Sequence, residues 1–414
     1  MDTAVNTIDV SPDPLPFFRK QTIFLTGGTG CLGGCILYKL AMKLDTAKIY
    51  VLVRGSRERG ISQLKDIMPN QTDDILATKK VQFVVGDITK KNFGIDPAVL
   101  TEMARTVTIV IHSAASISLT SPQQECVRNN CLPVLELATI ASSFRKLSKF
   151  VFVSTAYVNH HLPDGVVEEK IYPAGDAEKL LSQIIQMGTV SKGLAGYSHP
   201  VPYTLVKNLT EQLLVSRNPS LLVLIARPTI IAPAISQPYP YYTRHGSCPG
   251  SNYVQRYMEA PDSGIFHVSS LHPKGTNIFD EVPVDIAANV ILLHIMDGTT
   301  GVIHVGAGSY VRRTLAQLHQ DIIDHFPRRS NSRCPEFRYL SDKRVAQGRY
   351  AEFLKIFGRD WNFSSAASQK FSALEGPLSI ALGNHDAGKF MGERTRRLGD
   401  EVVRRRSSGV SAKL

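Results

Sequence analysis

The sequence contains no apolar run long enough to cross a lipid bilayer. Its longest apolar stretches, around 221–226 and 290–296, fall far short of the roughly 20 residues that a membrane-spanning helix needs. The first residues, MDTAVNTIDVSPDPLPFF, lack the basic start and apolar centre of a secretory signal. We therefore expect a cytoplasmic protein without a transmembrane segment.

Cysteine patterns typical of metal sites are also missing. The six cysteines, at positions 31, 35, 126, 131, 248 and 334, include no C-x-x-C pair and no histidine spacing typical of zinc. We expect no metal site and reduced, mostly buried thiols. Cys31 and Cys35 lie one helical turn apart, and we interpret them as small residues that pack against a sheet rather than as a redox pair.

The net charge of +11 is unevenly distributed. Residues 311–414 contain 20 Lys and Arg against 11 Asp and Glu, which leaves only +2 for the first 310 residues. This basic region fits attraction to an anionic ligand, such as a nucleotide-bearing thioester, or peripheral contact with a membrane surface. A solvated, partly disordered tail is the alternative. No nucleic-acid partner is expected, because no aromatic–basic interleaving accompanies the charge.

Short apolar segments rich in β-branched residues alternate with helix-length segments along the first 232 residues. These predicted strands are TIFL at 22–25, KIYVLVRG at 48–55, VQFVVGDIT at 81–89, VTIVIHSAAS at 107–116, KFVFVSTAYV at 149–158 and SLLVLIARPTII at 220–231. Buried strands that alternate with helices indicate an α/β fold with a doubly wound parallel sheet of the Rossmann type.

We divide the chain into four parts. They are an N-terminal lead-in at 1–19, a Rossmann domain at 20–232 with an insertion at 160–202, a smaller substrate-facing region at 233–310 that is interleaved with the Rossmann domain, and a basic C-terminal region at 311–414. The spacing at 176–187 predicts a helix in the insertion, close to the active site. Residues 237–253 resemble a loop, 279–298 a strand, turn and helix, and 301–308 a further strand.

A glycine-rich loop follows the first predicted strand. Gly27, Gly30 and Gly33 are spaced G-x-x-G-x-x-G, which allows the backbone to approach a dinucleotide pyrophosphate where a Cβ would collide. The helix that begins there points free N–H groups and its positive dipole end at the phosphates. The residues expected to bind the pyrophosphate are Thr26, Gly27, Thr29, Gly30, Cys31, Leu32 and Gly33.

The end of the second predicted strand indicates which cofactor binds. NAD-selective enzymes usually have an acidic residue there, whereas a cation accommodates the 2′-phosphate of NADP. This strand ends in Arg54, and Arg57 and Arg59 follow closely. We therefore favour NADP(H). Glu58 in the same turn keeps NAD open as the alternative.

Two further strand ends supply candidate cofactor contacts. Asp87 in the sequence GDI is placed to accept a hydrogen bond from the adenine amine, and we assign Ile88 to the same site. Ala114 and Ala115 are small where the next strand meets the phosphate and ribose. His112 precedes them within an apolar strand, and we interpret it as a core histidine.

Tyr203 and Lys207 are four residues apart in a segment with helical spacing, so both side chains lie on one face of the helix. A free phenol is a weak acid at neutral pH, and a nearby ammonium favours the phenolate and makes proton transfer easier. Lys207 can also bind the nicotinamide ribose. A surface pair with no chemical role is the alternative.

A hydroxyl at the end of the fifth predicted strand strengthens the Tyr–Lys prediction. Thr155 follows this strand, beside the expected nicotinamide, where its hydroxyl can bond a substrate carbonyl. Ser154 is the competing hydroxyl; we prefer Thr155 because residues alternate along a strand and Thr155 lies nearer the turn. Asn130, on the preceding helix, is a candidate for holding a proton-relay water.

Together these motifs resemble the extended short-chain dehydrogenase/reductases and, within them, the fatty acyl-CoA reductase and thioester reductase branch, also known from the male sterility NAD-binding domain. The matching stretches are FLTGGTGCLGG, IYVLVRG, VVGDIT, VIHSAASISL, FVFVSTAYVNH, VEEKIYP, YTLVKNLTEQLL, ARPTIIAPA and DEVPVDIAANV. The resemblance implies catalytic roles for Thr155, Tyr203 and Lys207. It also implies cofactor roles for the glycines, Arg54, Asp87 and the turn Arg227–Thr229, which adds Pro228 and Thr229.

The chain departs from this branch in three places. Pro133 and Val134 replace the Gly-Thr that usually follows the helix asparagine, QPYPYY at 237–242 stands where a Pro-Phe-Pro-Gly-Trp type of stretch is common, and the C-terminal region resembles the second domain of the branch poorly. These departures concern substrate recognition more than the cofactor.

The resemblance implies NADPH-dependent reduction of an acyl thioester, on CoA or a carrier, to an aldehyde or alcohol in lipid or secondary metabolism. An NADP-dependent dehydrogenase or ketoreductase of a free alcohol or ketone, on a terpenoid or polyketide skeleton, is the first alternative. A binding module that only senses the nucleotide is the second, and the intact Thr155, Tyr203 and Lys207 argue against it.

Overall fold

The structure is a computed structural model that describes residues 13–190, 201–244, 246–259, 263–326, 336–353 and 355–407. In chain order, the strands are β1 (Thr22–Thr26), β2 (Lys48–Val53), β3 (Val81–Val85), β4 (Ile109–His112), β5 (Lys149–Val153), β6 (Gly165–Val167), β7 (Val223–Pro228), β8 (Ile230–Ala232), β9 (Ile265–His267), β10 (Ile278–Phe279), β11 (Glu281–Pro283), β12 (Gly301–Val305), β13 (Arg313–Thr314), β14 (Arg338–Leu340) and β15 (Trp361–Phe363). The α-helices are α1 (Pro14–Phe18), α2 (Cys31–Met42), α3 (Arg57–Ile67), α4 (Gln71–Ala77), α5 (Pro97–Thr106), α6 (Gln123–Cys126), α7 (Leu132–Ala141), α8 (Ala177–Met187), α9 (Pro202–Arg217), α10 (Pro249–Glu259), α11 (Val284–Met296), α12 (Leu315–Asp324), α13 (Arg349–Phe353) and α14 (Ala387–Ser407).

The largest sheet in the described part of the chain has seven parallel strands in the order β3-β2-β1-β4-β5-β7-β12. After β1 the chain continues to β2 and β3 on one side of the sheet, and after β4 it continues to β5, β7 and β12 on the other. The connections that follow β1 and β4 therefore diverge. In such sheets a cleft opens at the carboxyl ends of the two strands and binds ligands. The predicted doubly wound Rossmann-type fold is therefore confirmed.

Alternating side chains of β1 explain how the sheet is covered on both faces. Ile23 and Leu25 belong to one core cluster, which includes buried residues of α2 and α11, whereas Phe24 belongs to another, which includes residues of α5 and α7. Because successive residues of a strand point to opposite faces, a strand covered on both faces is apolar throughout. This is why the predicted strands were recognisable as continuous apolar segments.

A buried ion pair ties α9 to β7. Arg227 and Glu211 are both inaccessible to solvent, and the Arg227 Nε atom donates to Glu211 Oε1 at 3.0 Å. The Arg227 Nη1 atom also donates to the carbonyl of Lys170 at 2.9 Å. The side chain of Arg227 is thus fully used inside the fold, although the predicted cofactor turn begins at this residue.

Elements outside the predicted 20–232 domain complete the sheet. Strand β12 is the outermost strand beside β7, and α11 packs against α2. In the lead-in, Phe18 is fully buried in the core, while residues 1–12 lie outside the described part.

The basic C-terminal region packs against the rest of the chain. Strand β15 pairs with β6, and α14 packs against α10. Arg394 of α14 donates to Glu281 at 2.7 Å, and both side chains are almost fully buried. The alternative of a solvated tail therefore does not hold for 387–402, where Arg394 and Val402 are buried, whereas Arg404 is exposed; residues 408–414 lie outside the described part.

The predicted helix of the insertion is present as α8, whose first turn is capped by the Asp176 side chain. Residues 191–200 of the insertion lie outside the described residues. Among the residues that the structure describes, no helix combines the length and hydrophobicity that crossing a membrane requires.

Candidate active site

The glycine-rich loop lies at the carboxyl end of β1, where β1 and β4 diverge. Gly27 has a φ of +76°, and a Cβ on this residue would lie 2.6 Å from the backbone nitrogen of Ala114. A Cβ on Gly33 would lie 2.2 Å from the carbonyl oxygen of Gly27. Both positions exclude any larger residue, because the turn and the first helical turn are in direct backbone contact.

The first turn of α2 has the donors that a pyrophosphate needs. Its N-cap is Gly30, which has no side chain to satisfy the free N–H groups of Cys31, Leu32 and Gly33. These groups and the positive end of the helix dipole form an anion-binding surface. The loop therefore fits a dinucleotide, as the sequence predicts.

Thr26 and His112 lie side by side beneath this loop. The Thr26 hydroxyl is 2.8 Å from His112 Nδ1 and accepts the N–H of Ala114 at 3.3 Å. Burial, and secondarily the positive charge of Lys207, lower the pKa of His112 to about 3. His112 is thus a neutral core residue that joins β1 to β4, and Thr26 serves the loop through its hydrogen bonds.

Two of the cysteines that adjoin the loop have different surroundings. Cys31 and Cys35 are both buried in the same core cluster, as predicted for packing residues. Burial raises the pKa of Cys35, whereas a hydrogen bond with the Cys248 thiol lowers that of Cys31. Cys31 therefore contacts Cys248, more than 200 positions away in the sequence, and the structure gives no thiol pair of Cys31 with Cys35.

Arg54 and Asp87 end neighbouring strands. The Arg54 side chain is 67% exposed, and its Nε atom lies 4.0 Å from Asp87 Oδ2. The other carboxylate oxygen of Asp87 accepts the backbone N–H and the hydroxyl of Thr89, which lower the Asp87 pKa. Arg54 is thus free to approach a phosphate. The predicted neighbours Ile88 and Ala114 are half-buried, and Ala115 is exposed.

Lys207 links α9 to the end of β5. Its Nζ atom donates to the carbonyl of Val153 at 2.9 Å and lies 4.5 Å from the centre of the Phe152 ring. The side chain is buried, and burial lowers its pKa to about 8. Since Val153 is two residues before Thr155, this hydrogen bond places the helix beside the strand end that carries Thr155.

Tyr203 lies one turn before Lys207 on α9 and is half-buried. The Lys207 Nζ atom is 6.0 Å from the centre of its ring. Burial, with a smaller effect of the Cys126 thiol, raises the pKa of Tyr203. Burial thus favours the protonated phenol, which can donate a hydrogen bond, and not the phenolate that Lys207 was expected to stabilise.

Thr155 and Ser154 are both buried, but their hydroxyls differ in environment. The Thr155 hydroxyl accepts the N–H of Tyr157 at 3.4 Å and donates to the carbonyl of Pro228 at 3.5 Å. The Ser154 hydroxyl has no hydrogen-bond partner among the described residues. Both distances of Thr155 are long, so its hydroxyl can turn to a substrate at little cost.

Asn130 lies in a π-helical turn, Val127–Cys131, between α6 and α7. Its side-chain oxygen accepts the N–H of Ser116 at 2.8 Å, and its side-chain nitrogen donates to the Ser116 carbonyl at 2.9 Å. Asn130 thus fixes the loop that follows β4 beside the cofactor site. Its predicted role in holding a water stays a prediction.

Pro228 is the last residue of β7, and Thr229 links β7 to β8. The carbonyl of Pro228 contacts Thr155. Thr229 is buried, and its N–H donates to the carbonyl of Val305 at 3.0 Å. The turn therefore adjoins the catalytic candidates, while Arg227 serves the fold instead.

Sequence reasoning missed a loop that packs on the cofactor turn, which we call the covering loop and define as residues 235–244. The Tyr242 hydroxyl donates to the Cys31 carbonyl at 2.9 Å, and Arg244 Nη1 donates to the Thr29 carbonyl at 2.7 Å. The loop contains the QPYPYY departure. That departure was the one signal in the sequence that pointed to this part of the site.

A small cavity lies beyond the short helical turn that follows Thr155, and its lining was also not predicted. It is lined by Tyr157, Ile230, Ile278, Phe279, Asp280, Ile356, Arg359, Trp361 and Phe363. Four of these residues belong to the basic C-terminal region, so this region contributes to a mainly apolar wall near the site. Burial raises the pKa of Asp280, the acidic residue in the lining.

Similarity to known proteins agrees with this geometry. The chain is 28% identical to a putative fatty acyl-CoA reductase of Drosophila melanogaster over 292 residues, which cover 67% of this chain and 52% of that protein. It is 25% identical to fatty acyl-CoA reductase 2 of Homo sapiens over 297 residues, with 67% and 54% covered. The chain thus spans about half the length of the curated relatives it matches.

Solved structures share the fold at low sequence identity. The terminal R domain from the myxalamid PKS-NRPS biosynthetic pathway superposes with a TM-score of 0.62 and 18% identity, covering 94% of this chain and 91% of that domain. A thiolation-reductase di-domain from an archaeal non-ribosomal peptide synthetase gives 0.59 and 17%, with 95% and 92% covered. The sequence profile described as male sterility protein matches residues 25–291. On this match, which covers the whole predicted site, the chain belongs to the male sterility protein family within the extended short-chain dehydrogenase/reductases.

Proposed function

We propose that the chain is an NADPH-dependent reductase of acyl thioesters. The observation that carries the proposal is the hydrogen bond from Lys207 to the Val153 carbonyl. It brings the Tyr203–Lys207 face of α9 to the strand end that holds Thr155, in the same cleft as the glycine-rich loop. The fatty acyl-CoA reductases and thioester reductase domains that the chain resembles support the choice of a thioester.

Each side chain of the candidate site has a separate role in the proposed reaction. When bound, NADPH would supply a hydride to the thioester carbonyl carbon. The hydroxyls of Thr155 and Tyr203 would donate hydrogen bonds to the carbonyl oxygen as it becomes negative, and loss of the thiolate would then give the aldehyde. Lys207 would hold the nicotinamide ribose and keep a positive charge beside the developing oxyanion.

The raised pKa of Tyr203 suits this direction of reaction. A protonated phenol can donate to an oxyanion, and in a second reduction it can give its proton to the alkoxide of an alcohol product. Lys207 provides the matching charge, because an ammonium close to the oxyanion favours its formation.

For the cofactor, Arg54 supports NADP over NAD. Its exposed guanidinium lies at the end of β2, where a 2′-phosphate is bound in this fold, and its one nearby carboxylate is 4.0 Å away. Replacing Arg54 by Gln should weaken NADPH binding while NADH binding stays unchanged.

The chemistry is tested by giving the purified chain NADPH and a series of acyl-CoAs of increasing length. Tyr203→Phe should lower kcat by about 10²- to 10⁴-fold and leave the Kd for NADPH within twofold. Tyr172→Phe is the control, because the Tyr172 hydroxyl contacts Glu168 outside the site. Thr155→Val against Ser154→Ala identifies the hydroxyl that contacts the substrate, and we expect the loss with Thr155→Val.

Turnover of a free ketone or alcohol without acyl-dependent oxidation of NADPH would reject thioester reduction and favour the dehydrogenase alternative. If the chain binds NADPH, turns over neither class of substrate, and binds NADPH equally well in Tyr203→Phe, it is a nucleotide sensor.

A further inference from the structure

The covering loop is anchored at both of its ends. At its beginning, the Asp285 carboxylate accepts the backbone N–H groups of Ile235, Ser236 and Gln237 at 2.9–3.2 Å. Near its end, the buried Tyr242 side chain donates to the Cys31 carbonyl. The loop therefore holds a defined position on the first turn of α2.

This position brings Arg244 onto the glycine-rich loop. Its Nη1 atom donates to the Thr29 carbonyl at 2.7 Å. A guanidinium has five N–H donors. Among the described residues, this contact with Thr29 is the one hydrogen bond of the guanidinium, and no carboxylate forms an ion pair with it.

An unpaired cation is unfavourable at this place in the fold. The N-terminus of α2 carries partial positive charge on its free N–H groups, which repels a second positive charge. An anion between the helix end and the guanidinium would reverse the sign of both interactions. The arginine fork also matches the oxygens of a phosphate better than a point charge does.

We propose that Arg244 binds the pyrophosphate of the nicotinamide cofactor, opposite the N–H groups of α2. This inference rests on the cofactor part of the proposed function. Arg54 and Arg244 then have separate tasks: Arg54 contacts the 2′-phosphate, which only NADP carries, while Arg244 contacts the pyrophosphate common to NADP and NAD. The covering loop is therefore a part of the cofactor site that is contributed from more than 200 residues away in the sequence.

The test is direct titration of the full chain with NADPH and with NADH, in the absence of any acyl substrate. Arg244→Gln should raise the Kd for both nucleotides by about 10-fold or more, since a charged hydrogen-bonded contact is lost. Arg54→Gln should raise the Kd for NADPH alone. Arg256→Gln, which removes an equal charge from the exposed face of α10, should change neither.

Two further measurements separate phosphate binding from a purely structural role. Arg244→Lys, which keeps the charge, should recover part of the affinity. In Arg244→Gln, the Kd for NADPH should depend less steeply on salt concentration than in the unaltered chain. A loop that had merely lost its packing would show the same loss of affinity in Arg244→Lys and an unchanged salt dependence, and this result would overturn the proposal.

The proposal also fails if Arg244→Gln leaves both Kd values unchanged, or raises the Kd for NADPH alone. A raised KM for the acyl thioester with both Kd values unchanged would assign Arg244 to the substrate and reject the proposal. Because the titration contains no acyl substrate, absence of thioester reduction would refute the proposed reaction and leave this result intact.

Discussion

The glycine-rich loop and the covering loop meet at the same cofactor site but are specified differently. The first is shaped by residues adjacent in the chain: Gly30 donates to the Gly27 carbonyl at 2.8 Å, and a Cβ on Gly33 would collide with that same oxygen. The second is shaped by partners far away, such as Thr29, which is 215 positions from Arg244. Local requirements leave a pattern in the sequence, whereas long-range ones leave single polar residues without a pattern.

The C-terminal region is also held by partners that lie far away in the sequence. Loss of its buried ion pair is the largest effect on stability that we predict. Arg394→Met should lower the free energy of unfolding by about 3 kcal/mol or more, because the buried Glu281 carboxylate loses its partner. Urea denaturation provides the measurement.

Arg396→Met is the matched control on the same helix. The Arg396 side chain is half-exposed and pairs with Glu393 and Asp400 at the surface, and such pairs contribute about 1 kcal/mol or less. Equal losses in the two variants would show that α14 adds no buried contact that the fold needs.

The next effect concerns the glycine-rich loop itself. Gly33→Ala should weaken NADPH binding by about 100-fold, or about 3 kcal/mol, because the new Cβ displaces either the Gly27 carbonyl or the first turn of α2. Titration with NADPH gives the Kd. Gly388→Ala in α14 is the control, since its Cβ would meet only the Asp386 carboxylate at 3.4 Å. Unchanged binding in Gly33→Ala would mean that the loop does not hold the pyrophosphate.

The fold and the candidate site differ in how much of each could be predicted from the sequence alone. The strands of the central sheet, β1 to β5, β7 and β12, were predictable because strands that are mostly buried by helices on both faces are largely apolar. The order of Thr155, Tyr203 and Lys207 along the chain predicts them as the catalytic residues, and their roles stay a prediction. The raised pKa of Tyr203 was not predictable, since it follows from burial, and burial depends on residues from several elements.

Charge was the least informative signal. The excess of Lys and Arg after position 310 predicted an anion-binding surface or a solvated tail, but several of these cations form ion pairs with carboxylates of the same chain, from the buried Arg394 to the exposed Arg344. Ion pairs are formed by Arg313, Arg344, Arg359, Lys370, Arg394, Arg396, Arg397 and Arg405. Composition cannot distinguish an arginine in an ion pair from one without, and Arg244, which has no ion pair with any described carboxylate, lies outside the basic region.

The smallest effect that we predict is the titration of Lys207. Burial lowers its pKa to about 8, so the ammonium is present below this pH and is lost above it. With NADPH as the varied substrate, kcat/KM reports groups of the free protein, and it should fall above about pH 8, approaching tenfold per pH unit. Lys207→Arg is the control: a guanidinium stays protonated in this range, so whatever activity remains should show no such decline.

The pH dependence of the free energy of unfolding distinguishes deprotonation of Lys207 from unfolding of the chain. Between about pH 8 and the ordinary lysine pKa of about 10.4, the unfolded chain binds more protons at Lys207 than the native chain does. Lys207 therefore makes the free energy of unfolding rise with pH in this window, while activity falls. This rise in the free energy of unfolding is measured by unfolding the unaltered chain and Lys207→Arg in urea at pH 7.5 and pH 9.5. These values lie on either side of the pKa of about 8. Relative to the variant, the unaltered chain should gain stability at the higher pH; a parallel loss of stability and activity would mean that the Lys207 ammonium supports the fold rather than the reaction.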